Sequence, residues 1–199
     1  MGEEKPMEKM RTLTSRFALI ASITLLPIAM IGQTNSMSAG SSNSSSVSAS
    51  DKKFVREAAE GGMAEVELGK LATEKASSPE VKKFGQRMVD DHSKANDQLK
   101  EVASSQGITL PSKLSAKDEM TKERLSKLSG EQFDKAYMSD MVKDHTQDVA
   151  DFEQEATSGS DPAVKEFVEK TLPVLKSHLR EAKQIAPTTS ASASKMQGD

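Results

Sequence analysis

Four polar side chains stand on apolar stripes, where polarity is expensive. They are Glu65, His92, His145 and His178, and they include every histidine of the 199-residue chain. Each belongs to a run of apolar residues recurring at three- and four-residue intervals, the face a helix turns toward its neighbours. A polar group there costs free energy unless it finds a partner. One carboxylate and three imidazoles brought together would make a ligand set for a divalent transition metal. Asp91, Asp144 and Asp148 stand close by in sequence, placed to orient the rings or to add ligands. Met88 and Met141 lie one turn ahead of His92 and His145, where a thioether would favour copper(I). A plainer reading fits the same residues. A Glu–His cluster can satisfy itself as a buried hydrogen-bonded network and so fix helix register. The methionines serve equally as core filler. Asp91 and Asp144 are about 100° round the helix from the histidines, a position that also suits solvent.

Four long helices must position these groups. Asp51 reads as the N-cap of a first helix from Lys52, with a stripe of Phe54, Ala58, Gly61, Glu65, Leu68 and Ala72. Ser78-Pro79 ends it and starts a second, with Val81, Phe84, Met88, His92, Ala95, Leu99 and Val102 inward and Gly107 closing the end. The third carries Phe133, Tyr137, Met138, Met141, His145, Val149, Phe152 and Ala156, and ends at Gly159. Asp161-Pro162 opens the fourth, with Val164, Phe167, Thr171, Leu175, His178, Ala182 and Ile185; Pro173 inside it should kink the axis. Residues 108–130 form a long connection, with a short helix capped by Ser115. Gly61-Gly62 reads first as close helix packing, and second as room beside the site.

The halves echo each other. Met88-Val89-Asp90-Asp91-His92 matches Met141-Val142-Lys143-Asp144-His145, each with an aromatic four residues before the Met. Short turns make two antiparallel helix hairpins, and the long connection allows a crossover. The expected fold is all-α: a ferritin-like four-helix bundle over residues 51–186, with a short extra helix in the middle connection. Measured from Ser78, Glu65 lies 13 residues before the first turn and His92 lies 14 after, both roughly 20 Å from it. Measured from Gly159, His145 lies 14 before and His178 lies 19 after, about one turn out of step. The four groups converge if the hairpins pack at matching heights.

The flanks read differently. Lys5, Lys9, Arg11 and Arg16 precede an uncharged, largely apolar stretch from Phe17 to Ile31 and then small residues, the order of an export signal. Residues 1–39 are therefore expected to be a signal peptide, or an uncleaved N-terminal anchor and the one route to membrane attachment. That places the domain in the periplasm or cell envelope. Residues 40–50 read as a Ser-rich linker and 187–199 as a disordered tail. Net charge is −3, which makes no electrostatic case for nucleic acid. Cysteine is absent, so there is no disulfide framework and no thiolate site.

The stretches Glu60-Gly61-Gly62-Met63-Ala64-Glu65-Val66-Glu67-Leu68-Gly69, Met88-Val89-Asp90-Asp91-His92, Ala136-Tyr137-Met138 with Met141-Val142-Lys143-Asp144-His145, and Leu172-Pro173-Val174-Leu175-Lys176-Ser177-His178-Leu179 resemble the bacterial domain of unknown function 4142. The resemblance spans about residues 51–186. It implies a ferritin-like bundle in an exported protein and no established reaction. The chain departs from the di-iron pattern of ferritin-like proteins, which takes Glu-x-x-His from two helices; Val89 and Val142 stand where those glutamates would be. A mononuclear site, or none, fits better. No Ser or Cys nucleophile, phosphate-binding Gly loop or dinucleotide fingerprint is present, so an enzymatic role would have to be metal-dependent. The competing reading is a non-catalytic structural or interaction domain of the envelope with a self-satisfied polar core.

Overall fold

The computed structural model describes residues 47–195, and these form five helices and no strand. They are α1 (Ala49–Lys75), α2 (Pro79–Ser105), α3 (Ala116–Ser126), α4 (Gly130–Ser158) and α5 (Pro162–Lys195). The expected export signal and most of the expected linker lie outside the described residues. No described helix is long and apolar enough to cross a membrane.

Local signals set most boundaries. Ser78 caps α2 and Pro79 opens its first turn. Gly107, at φ +63, ends α2 in a Schellman arrangement: its N–H donates to the Ser104 carbonyl and that of Ile108 to the Ala103 carbonyl. Asp161 Oδ1 accepts from the N–H groups of Ala163 and Val164 and so caps α5.

Two boundaries differ from the sequence reading. Helix α1 begins at Ala49, not Lys52, and its cap is Ser48, whose hydroxyl accepts from the Asp51 N–H. Asp51 is free for another task because Ser48 does the capping, and Val47 before it is buried in the core rather than linker-like. At the other end α5 runs past residue 186 to Lys195, through both Pro173 and Pro187. A proline removes one N–H but leaves the neighbouring helical bonds to carry the chain on.

Two aspartates fix how the hairpins meet. Asp134, in the second turn of α4, accepts from the N–H groups of Ser77 and Ser78 and from the Ser77 hydroxyl, at the α1–α2 turn. Asp51, in the first turn of α1, accepts from the N–H groups of Ser160 and Asp161 and from the Ser160 hydroxyl, at the α4–α5 turn. Each carboxylate thus satisfies amides that the opposite hairpin leaves open at a helix start. The hairpins therefore lie head to tail, with their turns at opposite ends. Helix α1 packs on α2 and α4, and α5 packs on α4 and α2. Every packed pair of long helices is consequently antiparallel. The connection from α2 to α4 must then run the full length of the assembly, and α3 lies along it against α1 and α4, anchored by the fully buried Leu125.

Close approach of α1 and α2 depends on a pair of glycines. A Cβ on Gly69 would sit 2.6 Å from the Gly85 carbonyl oxygen, and one on Gly85 would sit 2.6 Å from the Ala72 Cβ. The apolar core falls into two clusters. One gathers Leu68, Phe84, Met88, Phe133, Tyr137 and Met141 near the α1–α2 turn. The other gathers Phe54, Leu99, Phe152, Val164, Phe167 and Leu175 toward the α4–α5 turn. The polar residues lie between them.

Candidate functional site

Each of the four polar residues comes from a different long helix: Glu65 from α1, His92 from α2, His145 from α4 and His178 from α5. All four are buried, with His145 and His178 at 0% exposure. One nitrogen from each of the three rings lies within 4.8 Å of the others. The ring centroids are 5.3–5.7 Å apart. The Glu65 carboxylate lies directly against His92 Nε2, and its other oxygen is 3.3 Å from His145 Nδ1. Neither Glu65 oxygen makes a hydrogen bond of ordinary geometry.

The partners of the outer ring atoms fix the tautomers. His145 Nδ1 is 3.0 Å from the Met141 carbonyl oxygen, which can only accept, so Nδ1 carries the hydrogen. His178 Nε2 is 2.8 Å from Asp91 Oδ2, which also accepts, so Nε2 carries the hydrogen. That leaves His145 Nε2 and His178 Nδ1 facing each other at 3.3 Å. In neutral rings both present lone pairs.

Burial disfavours the proton that would reconcile them. It pushes His145 below the usual histidine range, against the pull of Glu65. It likewise pushes His178 down to about 4, despite the bond to Asp91. Glu65 is lowered as well: burial works to raise it, but the positive charge that His145 and His92 carry when protonated outweighs burial and holds it at about 2. An ionised carboxylate and neutral imidazoles are the forms that bind metal.

The aspartates separate in role. Asp91 orients His178 and is itself gripped by Arg87, which reaches on to Glu181 and Ser177. Burial acts to raise Asp91, but the bonds from His178 and Arg87 hold it below the usual carboxylate range. Asp148 forms a second close group with Glu65 and His145, with ligand atoms again within 4.8 Å. Burial, then the Glu65 charge, push Asp148 well up. Asp144 belongs to neither group; burial and Glu65 raise it to about 6. Met88 and Met141 are fully buried in the apolar cluster next to the site. It is the Met141 carbonyl that meets His145.

Two participants escaped the sequence reading. Arg87 was signalled only by its four-residue spacing from Asp91. Tyr137 was read as core, yet its buried hydroxyl has no hydrogen-bond partner. Of the glycine pair, Gly62 packs tightly, since a Cβ there would sit 2.2 Å from Asn96 Oδ1, whereas a Cβ on Gly61 would meet nothing within 4 Å.

A helical domain with a buried Glu/His layer is the class of protein defined here. Its family profile is "Domain of unknown function (DUF4142)", matched over residues 36–185, and the chain belongs to that family. No curated protein matches it. Among solved structures it is similar to a DUF305 fragment from Deinococcus radiodurans, with a TM-score of 0.64 and 14% identity, covering 71% of this chain and 98% of that one. It is also similar to a DUF305 protein from Streptomyces coelicolor described as a candidate secreted protein, with a TM-score of 0.60 and 14% identity, covering 71% of this chain and 94% of that one. At that identity the likeness speaks to the fold alone.

Proposed function

We propose that the chain is an exported metal-binding protein built on a ferritin-like four-helix bundle. It would hold one transition-metal ion among His92, His145 and His178, with Glu65, which lies against His92, as the fourth ligand; Asp148 groups with Glu65 and His145 at the edge of that set. The observation that carries this reading is the pair of ring nitrogens facing each other at 3.3 Å with their outer hydrogens already committed. A cation between them resolves the repulsion without protonating a buried ring. The outer bonds to the Met141 carbonyl and to Asp91 are the kind that orient metal-bound imidazoles. An imidazole-rich set with one or two carboxylates suits zinc, copper(II) or iron(II). The antiparallel order of the four long helices and the lengthwise connection support the ferritin-like description. The signal-like N-terminus and the description of the Streptomyces coelicolor protein support export.

The test is metal analysis of tag-free protein, with titration of zinc, copper, iron and manganese. One tightly held ion per chain is expected, lost in His145→Ala and His178→Ala. A second reading draws on the contacts of Glu65 with His92 and of Asp91 with His178, which let the layer close on itself as a purely structural network. That reading gains if the protein takes up none of the four metals and if a His92→Leu/His145→Leu variant folds and functions normally.

A further inference from the structure

Beside the histidine layer, toward the α4–α5 turn, lies a cavity of about 80 Å³ between the four long helices. His92, Asn96, Asp148 and Thr171 form its polar side, and Phe54, Phe152 and Phe167 are among its apolar walls. Gly61 borders it, and the space where a Gly61 side chain would stand is open. Alanine would be the better helix former at that position, by about 1 kcal/mol, and its Cβ would fit there without contact, leaving the space beyond it free. The volume is several times the roughly 10–15 Å³ that a single water needs, so a molecule larger than one water fits. The outer rim carries the exposed carboxylates of Asp151 and of Glu57, the latter paired with Lys53.

We propose that this cavity is a binding site for a small uncharged molecule of a few heavy atoms, a diatomic gas being the smallest case, held against the His92 side of the layer. Size excludes larger ligands, and the three phenylalanines favour weakly hydrated ones. The link between the bound molecule and a metal rests on the metal reading; occupancy of the cavity does not.

Xenon under pressure is a suitable neutral probe, read by the methyl resonances of Ala58 and Leu175, both of which line the cavity. Saturable shifts at these methyls are expected in the natural protein and in Gly61→Ala. They should vanish in Gly61→Leu, whose side chain occupies the space. The alanine variant separates filling of the cavity from any general effect of replacing the glycine. No xenon shift in the natural protein, or equal shifts in Gly61→Leu, overturns the proposal. In a second arm, iron(II)-loaded protein is exposed anaerobically to nitric oxide. The paramagnetic nitrosyl signal should fall roughly tenfold in Gly61→Leu at unchanged iron content. Equal signals would separate cavity from cluster and overturn the positional half. Failure of every form to take up iron counts against the metal reading, and the xenon shifts still decide the cavity.

Discussion

At the scale of single residues, the site depends on where hydrogens are forced to be. Asp91 holds the hydrogen of His178 outward, and Arg87 holds Asp91. Asp91→Asn keeps the shape but loses the charge that fixes the ring. Metal affinity should fall about 10- to 100-fold with little change in the melting curve of the metal-free protein; equal affinities in an isothermal titration would remove the orienting role. Acidity provides a second check. His178 binds fewer protons folded than unfolded between pH 6.5 and its folded value of about 4, so stability drops across that window as pH falls, by on the order of 3 kcal/mol. Glu65, held near 2, acts in the same direction at lower pH. Asp144, raised to about 6, opposes it: protonation of the folded form restores stability as pH falls from about 6 toward 4. Asp148 has the same sign as Asp144. Asp144→Asn should therefore raise the melting temperature of metal-free protein at pH 7.5, with the gain shrinking toward pH 4. A gain that does not change with pH would contradict the raised value.

Elements are held in register by side chains that close one another's ends. Asp134 serves the start of α2 from the start of α4, and Asp51 serves the start of α5 from the start of α1. Both aspartates are buried, and each serves three donors of the opposite hairpin's turn at once. Asp134→Ala should destabilise the chain by about 3 kcal/mol in denaturant unfolding, far more than removal of an exposed cap. A loss under about 1 kcal/mol would show that the clasp contributes little beyond an ordinary cap. Helix α3 is the opposite case. It buries only Leu125 and is held by the ion pairs Lys122–Glu67 and Arg124–Asp140. Such pairs, partly in solvent, are individually weak.

For the molecule as a whole, a polar layer divides the core in two. Such a layer gives less stability than continuous apolar packing unless its groups are satisfied. An ion bound only by the folded state adds stability by mass action, about 2.7 kcal/mol at a hundred times its dissociation constant. For a chain of this size, that corresponds to a rise of about 5–10 °C in melting temperature. Zinc or copper titrated into metal-free protein should give that rise, and a chelator should reverse it. An unchanged melting curve with every metal would leave the layer a register device alone.

Helix number, the stripes and the inward placement of all four polar residues were legible along the chain, because a helix repeats every 3.6 residues and a buried polar group stands out on an apolar face. Cap residues were legible at Ser78, Ser115 and Asp161, where the bonds are local. Asp51 was misread for the converse reason: its partners at Ser160 and Asp161 are more than a hundred residues away, and no local pattern reports them. The same long-range bonds decided the site. The hairpins lie head to tail, so Glu65 and His92 are counted down from one end and His145 and His178 up from the other. They share a level because both distances are close to half the length of the helices. Centring the second turn on Ser160 also narrows the offset between His145 and His178 from five residues to three. Sequence periodicity says which way each side chain faces; only packing of the two hairpins sets which heights coincide, which ring nitrogens face each other, and where space is left beside them.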